Sequence, residues 1–317
     1  MYKKNHSVVT EFLLLGFQNI ESFKMFFFSF LLISYFITLS GNVLLIFLVS
    51  TMRTLQSPMY LFISQLSISD ILLTTNIVPS SLDIVLADGK VVSFAECIVQ
   101  FYFFGGIESF ECLILTVMAY DRYLAICNPL RYISLMNHVI CIKLIAMSWL
   151  LGFFGISLDT ISISRLNFCG PNVINHFFCD LTPLLELSCS DTFIAKLEAT
   201  LLCVPLIILP LIIIIISYAY IAITILKISS RVGRWKAFTT CSSHLTVVSI
   251  YYGTLICIYV LPNGGQSLTI SKVLSLFYTV VTPMLNPVIY SLRNNDITCA
   301  LEKHIFSIII RKLRRLS

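Results

Sequence analysis

Seven stretches of this chain are continuously apolar over a length that lets a helix cross a bilayer, roughly 20 residues or more. They run about 25–50, 58–85, 97–126, 138–158, 193–226, 237–262 and 271–292. Their apolar residues follow one another without alternation, which argues against a β-barrel. A soluble core cannot absorb a chain that is 57% hydrophobic and only 12% charged. The reading is an all-α membrane protein, a seven-transmembrane helix bundle. The connections are too short for a separate soluble domain. No internal repeat is visible, which weighs against an inverted-repeat transporter.

Seven spans put the two ends on opposite sides, and basic residues mark the inner side. Fourteen of the 21 Lys and Arg fall in the alternate loops and the tail that this rule makes cytoplasmic. The remaining seven are Lys3, Lys4, Lys24, Lys90, Arg165, Lys196 and Lys272. Asp88, Asp159, Asp180, Glu186, Asp191 and Glu198 collect on the other side. The expected layout is an extracellular N-terminus at 1–24, a membrane domain at 25–292 and a cytoplasmic tail at 293–317. The net charge of +5 then belongs to a membrane-facing surface and does not point to nucleic acid. No long apolar run precedes Met25, so a cleaved signal peptide is not expected. Asn5-His6-Ser7 is a glycosylation sequon on the outer side. The tail segment 295–310 is partly amphipathic and is followed by the basic run RKLRR at 311–315, which suits a short helix lying on an anionic leaflet.

Of eleven cysteines, seven fall in spans or on the inner side, where a reduced thiol is the plain expectation. Cys97, Cys169, Cys179 and Cys189 lie outside, and four cysteines allow three pairings. A bridge from Cys97 to the long loop 159–192 would pin that loop over the bundle. The other two cysteines could then staple the loop to itself. His176 and Cys179, three residues apart, also admit a metal reading, but oxidising conditions favour disulfides and no metal is expected.

Polar residues inside the spans are costly and mark function. Asp70 sits mid-span, and Glu108 and Glu111 are three apart on one helix face. Asn42 and Asn286 add polar groups at similar depth. Together Asn42, Asp70, Glu111 and Asn286 could form a hydrated cluster holding Na⁺ or a water network, or could simply glue helices together. Pro79, Pro205, Pro210, Pro283 and Pro287 lie within spans and can kink them. Asp121 and Arg122 stand side by side at the inner end of a long apolar run, in MAYDRYLAIC at 118–127.

These markers, in this order, resemble the rhodopsin-like (class A) G-protein-coupled receptors. The general features are GNVLL at 41–45, LSISD at 66–70, Cys97, DRY at 121–123, Trp149, Pro210, Tyr218 and NPVIY at 286–290. Narrower features resemble the vertebrate olfactory receptors. They are SPMYLFISQLSISD at 57–70, MAYDRYLAICNPLRY at 118–132, SY at 217–218, KAFTTCSSHL at 236–245 and PMLNPVIYSLRN at 283–294, with FCGPNVINHFFCD and a later Cys189.

The resemblance implies a multi-pass plasma-membrane receptor. It would detect a small hydrophobic odorant and activate a stimulatory, olfactory-type heterotrimeric G protein to raise cyclic AMP. It would need no cofactor beyond a Na⁺ in the polar cluster, and membrane lipid would surround it. Asp121 would neutralise Arg122 at rest, and an outward swing of the sixth span would free Arg122. Tyr123, Tyr218, His244, Asn286, Pro287 and Tyr290 would take part in that switch. The basic stretch with Lys227, Arg231, Arg234 and Lys236 would offer G-protein contacts. By motif offset, the ligand would meet Phe104, Gly105, Glu108, Ser109 and Cys112 of the third span. Leu202, Cys203, Leu206 and Ile207 would come from the fifth, Tyr252, Leu255, Ile256 and Tyr259 from the sixth, and Thr279 from the seventh.

Two departures carry information. Phe104 stands where aminergic receptors carry an Asp, which disfavours an amine held at that position. Tyr252 replaces the tryptophan of many class A receptors, as is common in olfactory ones. Glu108 is less expected; it either faces the pocket and recognises a donor or a cation, or joins Glu111 in the cluster, and the cluster is preferred. A receptor for another ligand class and an ion-conducting protein remain the rival readings. An enzyme does not fit: HExxH, Walker and nucleophile-elbow motifs are all missing.

Overall fold

The computed structural model describes residues 9–18, 21–169, 171–257, 268–293 and 297–302. Asn5, Tyr259 and most of the tail helix lie outside the described residues; 297–302 is helical, with Ile297 and Ala300 buried.

Among the described residues, six helices are long and apolar enough to cross a membrane: Glu21–Thr51, Pro58–Ala87, Phe94–Cys127, His138–Ser164, Phe193–Lys227 and Thr269–Ser291. Arg231–Leu255, basic at its start, supplies the sixth span in chain order. A helix satisfies its own backbone groups, the one local solution open to a single apolar segment in lipid. Large apolar side chains such as Phe26, Phe36, Leu150, Phe154, Leu201 and Ile215 point outward and are exposed. That belt fits acyl chains and would be a liability in water. The third span is the central column, packed against the second, fourth, fifth and sixth; the first packs on the second and seventh.

The third and fourth spans extend beyond their apolar runs. The third begins at Phe94 rather than 97, because Ser93 and Glu96 form a reciprocal capping box. The Ser93 N–H donates to Glu96 Oε2 at 2.7 Å, and the Glu96 N–H donates to Ser93 Oγ at 3.2 Å. The fourth runs to Ser164 rather than 158, which carries Asp159 into the helix.

The prolines act through wide turns. Pro205 sits in the π-helical turn Val204–Ile208 with Pro210 just after it, and a second π-turn, Phe277–Val281, precedes Pro283. Pro287 meets the first span closely: a Cβ added at Gly41 would lie 2.9 Å from Pro287 Cγ. On the other side, a Cβ at Gly152 would lie 2.9 Å from the Phe110 backbone nitrogen, so the third and fourth spans touch main chain to side.

One end of the bundle carries a small sheet that the helical reading did not anticipate. Strand β1 (Glu11–Leu14) pairs antiparallel with β2 (Lys90–Ser93), Leu13 opposite Val91, and parallel with β3 (Val173–Ile174). Phe12 and Leu14 alternate inward and are fully buried, with Phe12 edge-on to Phe168 at 5.3 Å. The N-terminal segment and the long loop thus form one cap. Two disulfides fasten it, Cys97–Cys179 and Cys169–Cys189. They select one of the three open pairings. Cys179 is consumed in a bridge, and the His176 ring is buried against Phe177 and Phe178, so the metal reading loses its thiolate.

Candidate functional site

Beneath the cap a cavity of about 650 Å³ opens between the third, fourth, fifth and sixth spans. Ten of the residues placed by motif offset line it: Phe104, Gly105, Glu108, Ser109, Cys112, Leu202, Cys203, Leu206, Ile207 and Leu255. Its wall is mostly apolar with a few polar groups, the usual make-up of a small-molecule site. A second hollow of about 530 Å³ lies at the Cys169–Cys189 bridge, lined by Val9, Phe94 and residues 164–169 at the end of the fourth span.

Three expected residues fall elsewhere. Tyr252 is buried, but its hydroxyl donates to the Cys112 carbonyl at 3.2 Å, which turns it into the third span behind the cavity wall. Thr279 is fully buried and donates to the Ser275 carbonyl at 2.7 Å, so the seventh span contributes nothing to this wall among the described residues. Ile256 is half-buried beside the lining residue Leu255. In their place the fourth span and the loop contribute Ile156, Asp159, Asp180, Leu181, Thr182 and Leu185, and the fifth adds Lys196, Ala199 and Thr200. The apolar run ends one residue before Asp159, so hydropathy alone puts this acid in the loop, whereas the helix carries it into the wall.

Glu108 belongs to both places, within electrostatic reach of Glu111 and Asp70 of the cluster. It lines the cavity. Tyr251, not Tyr252, reaches it: the Tyr251 hydroxyl lies 2.7 Å from Glu108 Oε2 and 2.8 Å from the Glu108 carbonyl. The other carboxylate oxygen, Oε1, has no hydrogen-bond partner. Tyr251 and Tyr252 together tie the sixth span to one turn of the third, at Glu108 and Cys112.

Deeper in the bundle Asp70, Asn286 and Glu111 lie together, and Asn42 reaches the seventh span separately. Asn286 Nδ2 donates to both Asp70 oxygens, at 3.0 and 3.1 Å. Asn42 Nδ2 donates to the Thr38 carbonyl at 3.0 Å and the Pro283 carbonyl at 3.3 Å. Asn42 Oδ1, Glu111 Oε1, Asn286 Oδ1 and the Tyr290 hydroxyl are buried without partners. Trp149 completes the middle layer, lying flat on Phe110 at 3.8 Å and donating to Gln65 Oε1 at 3.2 Å.

At the end opposite the sheet, Arg122 is paired with its neighbour. Its Nε donates to Asp121 Oδ2 at 2.9 Å, and a second guanidinium nitrogen reaches the same oxygen. Tyr132, on the short helix Pro129–Leu135, donates to Asp121 Oδ1 at 2.8 Å. Asp121 is fully buried and Arg122 nearly so. His244 does not hydrogen-bond Arg122; its Nδ1 lies 2.7 Å from the Tyr218 hydroxyl, a link between the fifth and sixth spans. Tyr123 packs edge-on to Tyr220 at 6.0 Å.

A family profile described as olfactory receptor matches residues 30–308. The chain belongs to the olfactory receptor family. This receptor is 46% identical to mouse "Olfactory receptor 5P60" over 308 residues, covering 96% of this chain and 95% of the relative. It is 46% identical to human "Olfactory receptor 11L1" (96% and 94% covered) and 44% identical to human "Olfactory receptor 10A7" (99% of each). The family comprises odorant-detecting G-protein-coupled receptors and is not an enzyme family. The receptor is accordingly a multi-pass membrane protein.

Proposed function

We propose that the receptor sits in the plasma membrane with the sheet end outside, binds a small hydrophobic odorant in the 650 Å³ cavity, and activates a stimulatory, olfactory-type G protein to raise cyclic AMP. The observation that carries this reading is the pair of tyrosine bonds from the sixth span to Glu108 and Cys112, two residues of the cavity wall. A ligand pressing on that wall changes what the sixth span is fastened to. Ligands act by favouring one of two pre-existing arrangements. Here the resting arrangement keeps Arg122 on Asp121 and the inner half of the sixth span tied to the fifth through Tyr218 and His244. Movement of the sixth span opens that end, and Arg122, with Arg231 and Arg234 at the start of the sixth span, meets the G protein.

The disulfides support the orientation, since such bridges persist in oxidising compartments. In the polar cluster the orphan oxygens of Glu111 and Asn286, beside Asp70, and of Asn42 on the first span are hard donors that suit a Na⁺ or bridging waters. Such a guest would strengthen the resting packing of the second, third and seventh spans.

The test fills the cavity. Cys203→Trp places an indole in the space the odorant would take. It is expected to abolish the cyclic AMP response to volatile pools, in cells with an olfactory-type G protein, at unchanged surface staining. An undiminished response would move the binding site elsewhere.

A further inference from the structure

The cavity wall carries three carboxylates, Glu108, Asp159 and Asp180, against one ammonium, Lys196. Glu108 lines the cavity and is 8% exposed, and its Oε1 is buried without a hydrogen-bond partner. Asp159 Oδ1 is likewise unpartnered. Among the described residues the ion pairs are Lys24–Asp88, Lys90–Asp83 and Arg122–Asp121, so neither Glu108 nor Asp159 has a cation within ion-pair distance. A buried carboxylate oxygen with no donor is expensive, and a molecule that supplies both a donor and a positive charge gains what the empty site lacks.

We infer that the ligand of this receptor is a small apolar amine, its ammonium held by Glu108 and its hydrocarbon tail by Phe104, Ile156, Leu206 and Ile207. This rests on the reading that the cavity is the odorant site and narrows that reading to a ligand class. Phe104, where aminergic receptors have their Asp, does not oppose it. Glu108 is four residues further along the same helix face, so the acid lies one turn deeper. The Tyr251 hydroxyl occupies Oε2 and leaves Oε1 for the incoming N–H. Asp159 and Asp180 add to the negative field. That field opposes a carboxylic acid of the same length, and a neutral alcohol can donate one hydrogen bond but brings no charge.

The experiment measures ligand-dependent thermal stabilisation of the full-length receptor in lipid nanodiscs, with heptylamine, heptanol and heptanoate as probes. This readout does not need G-protein coupling. Heptylamine is expected to stabilise the wild type at a concentration lower than heptanol by roughly tenfold or more, and heptanoate to have no effect. In Glu108→Gln, which keeps an acceptor for Tyr251, the amine advantage closes. Asp159→Asn, further from the tyrosine bond, reduces it and stands in if Glu108→Gln is poorly folded. The inference is overturned if heptanol or heptanoate matches heptylamine, if the advantage survives both substitutions, or if none of the three probes stabilises the wild type. Stabilisation by heptylamine without a cyclic AMP response would uphold the inference and count against the coupling reading. Cyclic AMP responses to neutral volatiles without amine preference would do the reverse.

Discussion

His176 sits in the cap with its ring stacked on Phe177 at 4.8 Å and edge-on to Phe178 at 4.6 Å, and it is 4% exposed. Burial, and then the nearby Lys272 ammonium, push its pKa down to about 3 from the usual 6.5. The folded cap therefore keeps the ring neutral where an unfolded chain would protonate it. Stability from this source is complete above about pH 6.5. It falls by about 1.4 kcal/mol per pH unit as the pH drops towards 3. Melting the purified receptor at pH 7 and pH 5 should show a larger loss for wild type than for His176→Phe; equal losses would contradict the account. Lys272 is itself satisfied by neutral acceptors, the Gly16 carbonyl and Asn175 Oδ1, both at 2.6 Å. It joins the seventh span, the N-terminal segment and the loop in one contact. None of this was visible in the sequence, where His176 read as a weak metal candidate and Lys272 as an outer-side charge.

Among the elements, the first and seventh spans show how close packing is set by one small residue. Gly41 faces the ring of Pro287, with no room for a Cβ. Membrane helices lack a hydrophobic drive towards each other and rely on such close approach. Gly41→Val is expected to push the two spans apart and lower stability by about 1–3 kcal/mol, read as a drop in melting temperature and in surface display. An unchanged melting temperature would mean the contact is not tight. GNVLL and NPVIY were legible as motifs, but their mutual contact was not, because it joins positions 246 residues apart (287 − 41). Span existence was legible everywhere, since apolar runs of this length have few alternatives. Span ends were not. Ser93–Glu96 capping moved the third span's start, and Asp159 entered the fourth span although hydropathy stops before it. The sheet escaped notice because its strands are only two to four residues long and their partners are distant.

Across the whole molecule, the two ends are connected through the sixth span. Near the cavity it is bonded to Glu108 and Cys112, and near the other end His244 bonds it to Tyr218. The cavity's third- and fifth-span walls were accessible by motif offset from the sequence. Its fourth-span wall and Tyr251 were not, because a helix periodicity does not reveal which neighbouring helix a face meets. The far end was the most legible part: Asp121 and Arg122 announce themselves as charges at a membrane edge, and the structure shows them paired and buried. The central claim is that Arg122, released from Asp121, carries the signal. The most direct measurement is a cyclic AMP reporter assay, in cells with an olfactory-type G protein, comparing wild type with Arg122→Ala on mixed volatile pools that include amines. The account predicts a wild-type response that Arg122→Ala loses at equal surface staining, and an equal response from both would contradict it.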